Sequence, residues 1–145
     1  MSTIVEDVRD AAVSIADIAN GAGYPFDFSA RSLWDVERFL DDNASGGEPK
    51  AGGLLSKDLG SRVFALGAYV GEVIREAVGG DWVSDDSADD DSTVTLRTTA
   101  GELLWPNQQV MKRIMTSDSQ SVLDYARAVG VDPGPDSGPA RHAVT

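Results

Sequence analysis

Cysteine is absent from this chain of 145 residues, and histidine occurs once, as His142. The absence of cysteine excludes disulfide bonds, thiol nucleophiles and zinc–thiolate sites. His142 lies in a terminal segment rich in proline and glycine, where nothing would hold an imidazole in catalytic geometry. Serine–histidine–aspartate catalysis and histidine metal sites are therefore excluded, and an enzyme with this sequence would depend on carboxylates, hydroxyls, lysine or arginine. We expect no cofactor and no metal.

Long hydrophobic runs are also missing. Nowhere do about 18 apolar residues follow one another, as a membrane-spanning helix requires. The first residues, Met-Ser-Thr-Ile-Val-Glu-Asp, lack the basic and apolar regions of a signal peptide. Together with the absence of cysteine, these features predict a cytoplasmic protein without a membrane partner.

Basic residues are few: 12 lysines and arginines face 24 aspartates and glutamates, for a net charge of −12. Nucleic acids and anionic membranes bind basic surfaces, so neither is an expected partner. An acidic balance favours a basic protein partner and a fast, salt-sensitive association with it. Solubility alone is the alternative explanation.

The stretch from Leu59 to Gly80 is predicted to be the central helix. Its apolar residues repeat at helical spacing and cover most of the circumference, which is typical of a helix packed on nearly all sides. Gly67 and Gly71 each cost roughly 1 kcal/mol relative to alanine in a helix interior. That cost indicates close packing of another backbone, and we expect the sheet or the first helix on this face. A close-packed dimer is the alternative.

Two shorter helices precede the central one. The first begins with a capping box at Thr3-Ile-Val-Glu6, and Ser29 or Ser32 caps the second. Helical spacing gives each an inner face: Val5, Val8, Ala12, Ile15 and Ala19 in the first, and Leu33, Val36, Phe39 and Leu40 in the second. Charged residues of the second helix are predicted to face solvent: Asp35, Glu37 and Arg38. Residues 41–51 are predicted to form a polar loop.

Three strands are predicted after the central helix, at 81–84, 92–99 and 102–105, as an antiparallel meander. Alternation in the second strand places Val94 and Leu96 on one face and Thr95 and Arg97 on the other. Pro106 opens a helix whose inner residues are Val110, Met111, Ile114 and Met115, and a last helix spans 119–129. The sequence therefore predicts a single α+β domain over 1–130: a long central helix packed with the meander and about four further helices. Residues 131–145 predict a disordered tail.

The most conspicuous polar feature is an acidic run with five carboxylates in seven residues: Asp85, Asp86, Asp89, Asp90 and Asp91. A solvated hairpin loop is the simplest interpretation, and a contact surface for a cationic partner is the functional one. A calcium site is poorly supported, because the EF-hand pattern requires glycine at its sixth position and glutamate at its twelfth, where Asp90 and Leu96 stand.

A carboxylate within the central helix is the second candidate. Glu72 is either the partner of a cation one turn away or a group at the wet edge of the helix. If it is buried instead, burial raises its pKa and it needs a cationic partner, for which the candidates are Arg62, Arg75, Lys112 and Arg113. A ligand pocket or carboxylate-dependent active site would bring together Tyr69, Glu72, Lys112 and Arg113. Trp34 lies off the inner face of its helix and suggests a third possibility, a structural module that dimerises there.

Three separated motifs resemble a family of small bacterial domains of unknown function. They are Phe64-x-Leu-Gly-Ala-Tyr-Val-Gly-Glu-Val-Ile-Arg75, Gly79-Gly-x-Trp82 and Trp105-Pro-x3-Val-x-Lys-Arg113, and the helix Ser121-Val-Leu-Asp-Tyr125 is similar to the family's closing helix. The resemblance covers about residues 60–129. It implies an α+β domain, a bacterial cytosolic setting and an interaction or immunity-type role, and it transfers no catalytic residue.

The function predicted from the sequence is that of a non-enzymatic acidic binding protein. Its most concrete form is an immunity or antitoxin-type inhibitor that blocks a basic partner, such as a toxin, through the acidic run Asp85–Asp91. A ligand-binding or carboxylate-dependent enzyme domain and a structural dimerisation module are the alternatives.

Overall fold

The computed structural model describes residues 4–45, 48–83, 95–115 and 121–134. Within these ranges lie five α-helices: α1 (Ile4–Gly21), α2 (Leu33–Asn43), α3 (Leu59–Val78), α4 (Pro106–Met115) and α5 (Val122–Ala128). The strands are β1 (Ala44–Ser45), β2 (Glu48–Pro49), β3 (Gly80–Val83), β4 (Thr95–Thr98) and β5 (Leu103–Leu104). The predicted α+β class is confirmed, with α3 central and packed against α1 and α4.

The main sheet is an antiparallel meander in the order β3-β4-β5, as predicted. Its register pairs Trp82 with Leu96 and Leu96 with Leu104, and all three side chains are buried. The sheet therefore directs one row of apolar side chains into the core.

The segment after α2 differs from the predicted loop. The helix continues to Asn43, and a short antiparallel hairpin of β1 and β2 follows. The Asn43 amide donates to the carbonyl of Phe39 at 2.8 Å, and its oxygen accepts from the amide of Leu54, also at 2.8 Å. This buried side chain both ends the helix and anchors the return of the chain, which local polarity does not indicate.

The glycines of α3 allow two neighbours to approach closely. A Cβ at Gly71 would overlap the Trp82 ring and lie 3.2 Å from Cγ of Pro106. A Cβ at Gly67 would lie 2.6 Å from Cα and 2.7 Å from N of Asn107. The expected contact with the sheet is present at Gly71, whereas α4, and not the first helix, packs against Gly67.

Three side chains lie on the opposite side from the one predicted. Asp35 and Thr95 are buried although both are polar, and Asp35 forms an ion pair with Arg38. Met115 is 61% exposed because it is the last residue of α4, beyond the buried Ile114. A hydropathy pattern places polar residues on the solvent side and apolar residues in the core. It therefore misses a polar residue that is buried in an ion pair and an apolar residue that is exposed at the end of a helix.

The packed domain extends past the predicted boundary at residue 130. Val131 is 3% exposed, and the carbonyl oxygen of Gly134 accepts a hydrogen bond of 3.0 Å from Nε1 of Trp34. The Arg127 guanidinium lies 5.7 Å from the centre of the Trp34 ring. Trp34 therefore holds residues 131–134 on the domain, while the rest of the predicted tail lies outside the described residues.

None of the helices in the described ranges combines the length and the hydropathy that crossing a bilayer requires.

Replacement of Gly67 by alanine tests the contact between α3 and α4. The new Cβ would meet backbone atoms of Asn107, which cannot rotate away, and overpacking of this kind costs about 1–3 kcal/mol. We expect the free energy of unfolding, measured by urea titration, to fall despite the better helix propensity of alanine. Gly60→Ala is the control, because no atom lies within 4 Å of its Cβ position. A Gly67→Ala protein as stable as Gly60→Ala would contradict the close contact.

Candidate functional site

The predicted partner-binding residues lie outside the described residues. The acidic run Asp85–Asp91 begins two residues after the last residue of β3, and the described chain resumes at Thr95. Its role as a contact surface stays a prediction.

Glu72 is buried and bound from three elements. It is 6% exposed, and its Oε2 accepts hydrogen bonds from Nε of Arg75 at 2.7 Å and from Nε1 of Trp82 at 2.8 Å. The Nε of Arg9, on α1, lies 3.5 Å from Oε1. The carboxylate thus links α1, α3 and β3. Glu72 is buried, and it also pairs with the cation one turn away, so two of the predicted alternatives hold together.

Burial raises the pKa of Glu72, but its hydrogen bonds and the nearby positive charges lower the pKa by more. The hydrogen bonds from Arg75 and Trp82 and the charges of Arg75 and Arg9 bring the pKa below its ordinary value. Of the alternatives that the sequence left open, the buried Glu72 with a cationic partner is therefore the one observed, and the partners lower its pKa overall. A carboxylate held ionised by such partners is a structural anion and a poor proton donor near neutral pH.

Tyr69, about one turn before Glu72 on α3, belongs to an aromatic cluster. Its ring packs 4.6 Å from both Phe26 and Phe28, between ring centres. Its hydroxyl accepts from the amide of Phe28 at 2.9 Å and lies 2.6 Å from Oγ of Ser32. Burial raises the pKa of Tyr69 to about 12, so the phenol stays protonated near neutral pH.

Arg113 forms a third, separate group at the junction of α2, α4 and α5. Its Nη2 lies 2.9 Å from Oε1 of Glu37 and 2.5 Å from Oδ1 of Asp41. The other oxygen of Glu37 accepts from the amide of Val122, the first residue of α5, at 2.7 Å. Glu37 was expected to face solvent, yet it joins three helices. The neighbouring Lys112 lies on the exposed side of α4.

Tyr69, Glu72 and Arg113 therefore serve three different sets of partners. Each set holds together elements of the fold: the 24–28 segment with α3, α1 with β3, and α2 with α4 and α5. That these three residues line one pocket together with Lys112 stays a prediction, and the contacts described above do not favour it.

The outer face of α1 is an acidic surface of a different kind. At 100° per residue, six exposed residues fall within about one third of the helix circumference: Glu6, Asp7, Asp10, Val13, Ser14 and Asp17. We call this set the α1 face. Val13, at one edge of this set, is 52% exposed. The basic residue of α1, Arg9, borders this set about 40° from Val13; its side chain is 52% exposed and approaches Glu72.

Helix stability explains only part of this charge. Glu6 and Asp7 lie in the first turn, where negative charge is favourable. Asp10 and Asp17 lie further along, and no basic residue occupies the last turn of α1. The inner face predicted for the first helix leaves these aspartates on its outer side, and their shared face is the signal that distinguishes them.

The comparisons with known proteins give no family, because neither a family model, nor a curated protein, nor a solved structure matches the chain. The resemblance to small bacterial domains stays a prediction. Among the residues that the structure describes, no three histidines, cysteines, aspartates or glutamates lie close enough together to hold a metal ion.

Replacement of Glu72 by glutamine tests its role as a structural anion. A hydrogen-bonded carboxylate of this kind contributes about 1–3 kcal/mol, so urea titration at pH 7 should show a loss of that order. Because folding lowers the pKa of Glu72, its contribution is present above the unfolded value, near 4.5, and disappears as pH falls through the folded pKa. The difference between wild type and Glu72→Gln should therefore be constant from pH 6 to 8 and shrink in acid.

The control for this experiment is Glu76→Gln. Glu76 lies one turn along the same helix, pairs more loosely with Arg75 at 3.6 Å, and is largely exposed. Surface pairs of this kind contribute little, so its substitution should change the stability by less than about 1 kcal/mol. Equal losses for the two variants, or a Glu72 effect that does not depend on pH, would contradict the structural anion.

Proposed function

We propose that the protein is a non-enzymatic acidic binding protein of the immunity or antitoxin type, which inhibits a basic protein partner by covering its cationic site. The observation that carries this proposal is the one-sided use of charge. The arginines are largely engaged within the domain, whereas carboxylates make up the outer face of α1.

The arginines serve the fold. Five form ion pairs with carboxylates of the same chain: Arg9, Arg38, Arg75, Arg113 and Arg127. A sixth, Arg62, donates to the carbonyl of Leu54. The chain has 24 acidic and 12 basic residues. Because these arginines are paired within the domain, the net charge of −12 comes from groups at the surface. A negative field of this size draws in cationic partners and repels anionic ones.

Two acidic segments are the candidates for contact with a partner. The α1 face presents Asp7, Asp10 and Asp17, with the exposed Val13 at its edge, and carboxylates grouped in this way are complementary to a cationic protein surface. The acidic run Asp85–Asp91 follows β3, a strand that packs against α1. We assign partner contact to both segments.

A non-enzymatic role is the simpler interpretation of the candidate groups. Glu72 and Arg113 are bound by structural partners, and Tyr69 keeps its proton near neutral pH. Charge complementarity alone accounts for inhibition, because an acidic surface that covers a cationic active site excludes an anionic substrate from it.

The affinity for the natural partner tests this function. We would capture the partner with the tagged full chain from the organism that encodes it, then measure Kd by calorimetry at about 50 and 200 mM salt. Substitution of Asp7, Asp10 and Asp17 by asparagine should weaken binding about tenfold at low salt, since exposed charge pairs contribute roughly 0.2–1 kcal/mol each. Asp89, Asp90 and Asp91 replaced by serine should have a similar effect.

A matched control carries the same change in net charge elsewhere on the surface: Asp58→Asn, Glu102→Gln and Asp124→Asn, all at exposed positions. This variant should bind within about twofold of wild type, because its charges belong to neither proposed segment and salt screens long-range effects between exposed charges. An affinity that is insensitive to salt, or that falls equally for all three variants, would overturn the proposed surface.

A further inference from the structure

The last two residues of α1 are an asparagine and a glycine, Asn20 and Gly21. Both are exposed, and nothing packs within 4 Å of the position that a Cβ of Gly21 would take. The backbone nitrogen of a glycine is unshielded, since the residue has no side chain. This nitrogen can attack the amide carbon of the preceding asparagine, Cγ, once the backbone between them leaves the helical conformation.

The fold holds the Asn20 side chain with three hydrogen bonds. Its Nδ2 donates to the carbonyl oxygen of Ala16 at 2.8 Å and to that of Phe26 at 3.2 Å. Its Oδ1 accepts from the amide of Phe26 at 3.1 Å. The side chain therefore links the end of α1 to the segment 22–28, through the same amide group that such an attack would remove.

The segment 22–28 depends on tertiary contacts. Phe26 is 2% exposed, and its ring centre lies 4.6 Å from that of Tyr69. Phe28 has a φ of 65°, in the left-handed region that bulky residues avoid, and its amide donates to the Tyr69 hydroxyl at 2.9 Å. A backbone conformation of this kind persists only where its surroundings enforce it, so loss of the Asn20 link favours opening of the segment.

We propose that Asn20 is the site of a spontaneous modification, deamidation through a cyclic imide, which the fold slows and whose product cannot restore the link. The nitrogen of Gly21 attacks Cγ of Asn20 and forms the new C–N bond of the imide. The bond between Cγ and Nδ2 breaks, and Nδ2 leaves as ammonia with the proton of the Gly21 amide. Water then adds to one of the two imide carbonyl carbons and opens the ring, which gives aspartate or isoaspartate at this position.

The fold slows this reaction, and the product destabilises the fold. Helical backbone keeps the Gly21 nitrogen away from Cγ, so the end of α1 must open first. A carboxylate in place of the Asn20 amide cannot donate to the carbonyl oxygens of Ala16 and Phe26, and it faces them with a like charge. It also adds negative charge at the C-terminal end of α1, where the helix dipole disfavours it and the last turn has no basic residue. This site does not rest on the proposed function.

Peptide mapping of the aged full chain tests the site. The chain is incubated at mildly alkaline pH, either folded in buffer or unfolded in guanidinium chloride. Trypsin then releases residues 10–31, in which Asn20 is the single asparagine, and mass spectrometry follows the replacement of its amide by a carboxyl group. In the unfolded chain we expect Asn20 to react faster than Asn43 and Asn107, which precede residues with side chains. In the folded chain Asn20 should react at least about tenfold more slowly, because local opening must precede the attack.

Two variants separate the chemistry from its structural effect. Gly21→Ala adds a methyl group into open space, and in the unfolded chain it should slow the reaction of Asn20 severalfold by shielding the nitrogen. Asn20→Asp reproduces one product, and hydrogen exchange of the Phe26 amide should become about tenfold faster, since hydrogen bonds that hold the segment are lost. Ser14→Asp is the matched control: it adds the same charge at an exposed position of α1 and should leave this exchange unchanged.

Equal rates for Asn20 in the folded and the unfolded chain would overturn the proposal, because the fold would then not protect the site. A reaction at Asn20 no faster than at Asn43 in the unfolded chain would also overturn it, as would a Gly21→Ala chain that reacts like wild type. Wild-type exchange at Phe26 in Asn20→Asp would show that the link survives the modification, which overturns the structural consequence that the proposal requires.

Discussion

The packing of the Trp82 ring against Gly71 is the contact on which the rest of the structure depends. An indole can lie this close to α3 only where the helix has no side chain. The ring then carries its N–H into the interior, where an unpaired donor is costly, and the residue next to the glycine accepts it. The carboxylate of Glu72 needs cations in turn, which Arg75 and Arg9 provide. A single close contact thus determines the position of a buried anion and joins β3 and α1 to the central helix.

The need of buried carboxylates for cationic partners also accounts for the distribution of charge. Arg113 binds Glu37, which also accepts from the first amide of α5, and Arg38 neutralises the buried Asp35. Arginines that form these ion pairs stabilise buried or half-buried carboxylates and contribute little to the electrostatic potential at the surface. Asp10 and Asp17 of α1 are exposed beyond its first turn, where solubility and the proposed partner contact are the two explanations of their charge.

The sequence was sufficient for the central helix, the meander and the inner faces of α1 and α2, because each depends on a local repeat of apolar residues. It also indicated that Gly67 and Gly71 face close neighbours. It did not identify Asn107 as the neighbour of Gly67, since the two residues are far apart in the chain and their contact depends on how α4 returns to α3. The partners of Glu72 were only half predicted: Arg75 follows from helical spacing, whereas Trp82 reaches it only when β3 folds back.

Burial of polar residues was the other source of error. Asp35, Glu37 and Thr95 follow the spacing of exposed residues. Asp35 nevertheless pairs with Arg38 one turn along the same helix, and Glu37 is held by Arg113 of α4. Local patterns therefore predicted the framework, while the polar contacts and candidate sites required the packed structure.

Carboxylate footprinting of the full chain, alone and with its captured partner, tests the central claim most directly. Carbodiimide coupling followed by mass spectrometry reports the exposure of each aspartate and glutamate. An inhibitor that acts through its acidic surface should show protection at Asp7, Asp10 and Asp17 and in the run Asp85–Asp91, with Asp58, Glu102 and Asp124 labelled as before. Protection confined to the latter three, or no protection of any carboxylate in a stable complex, would contradict the account.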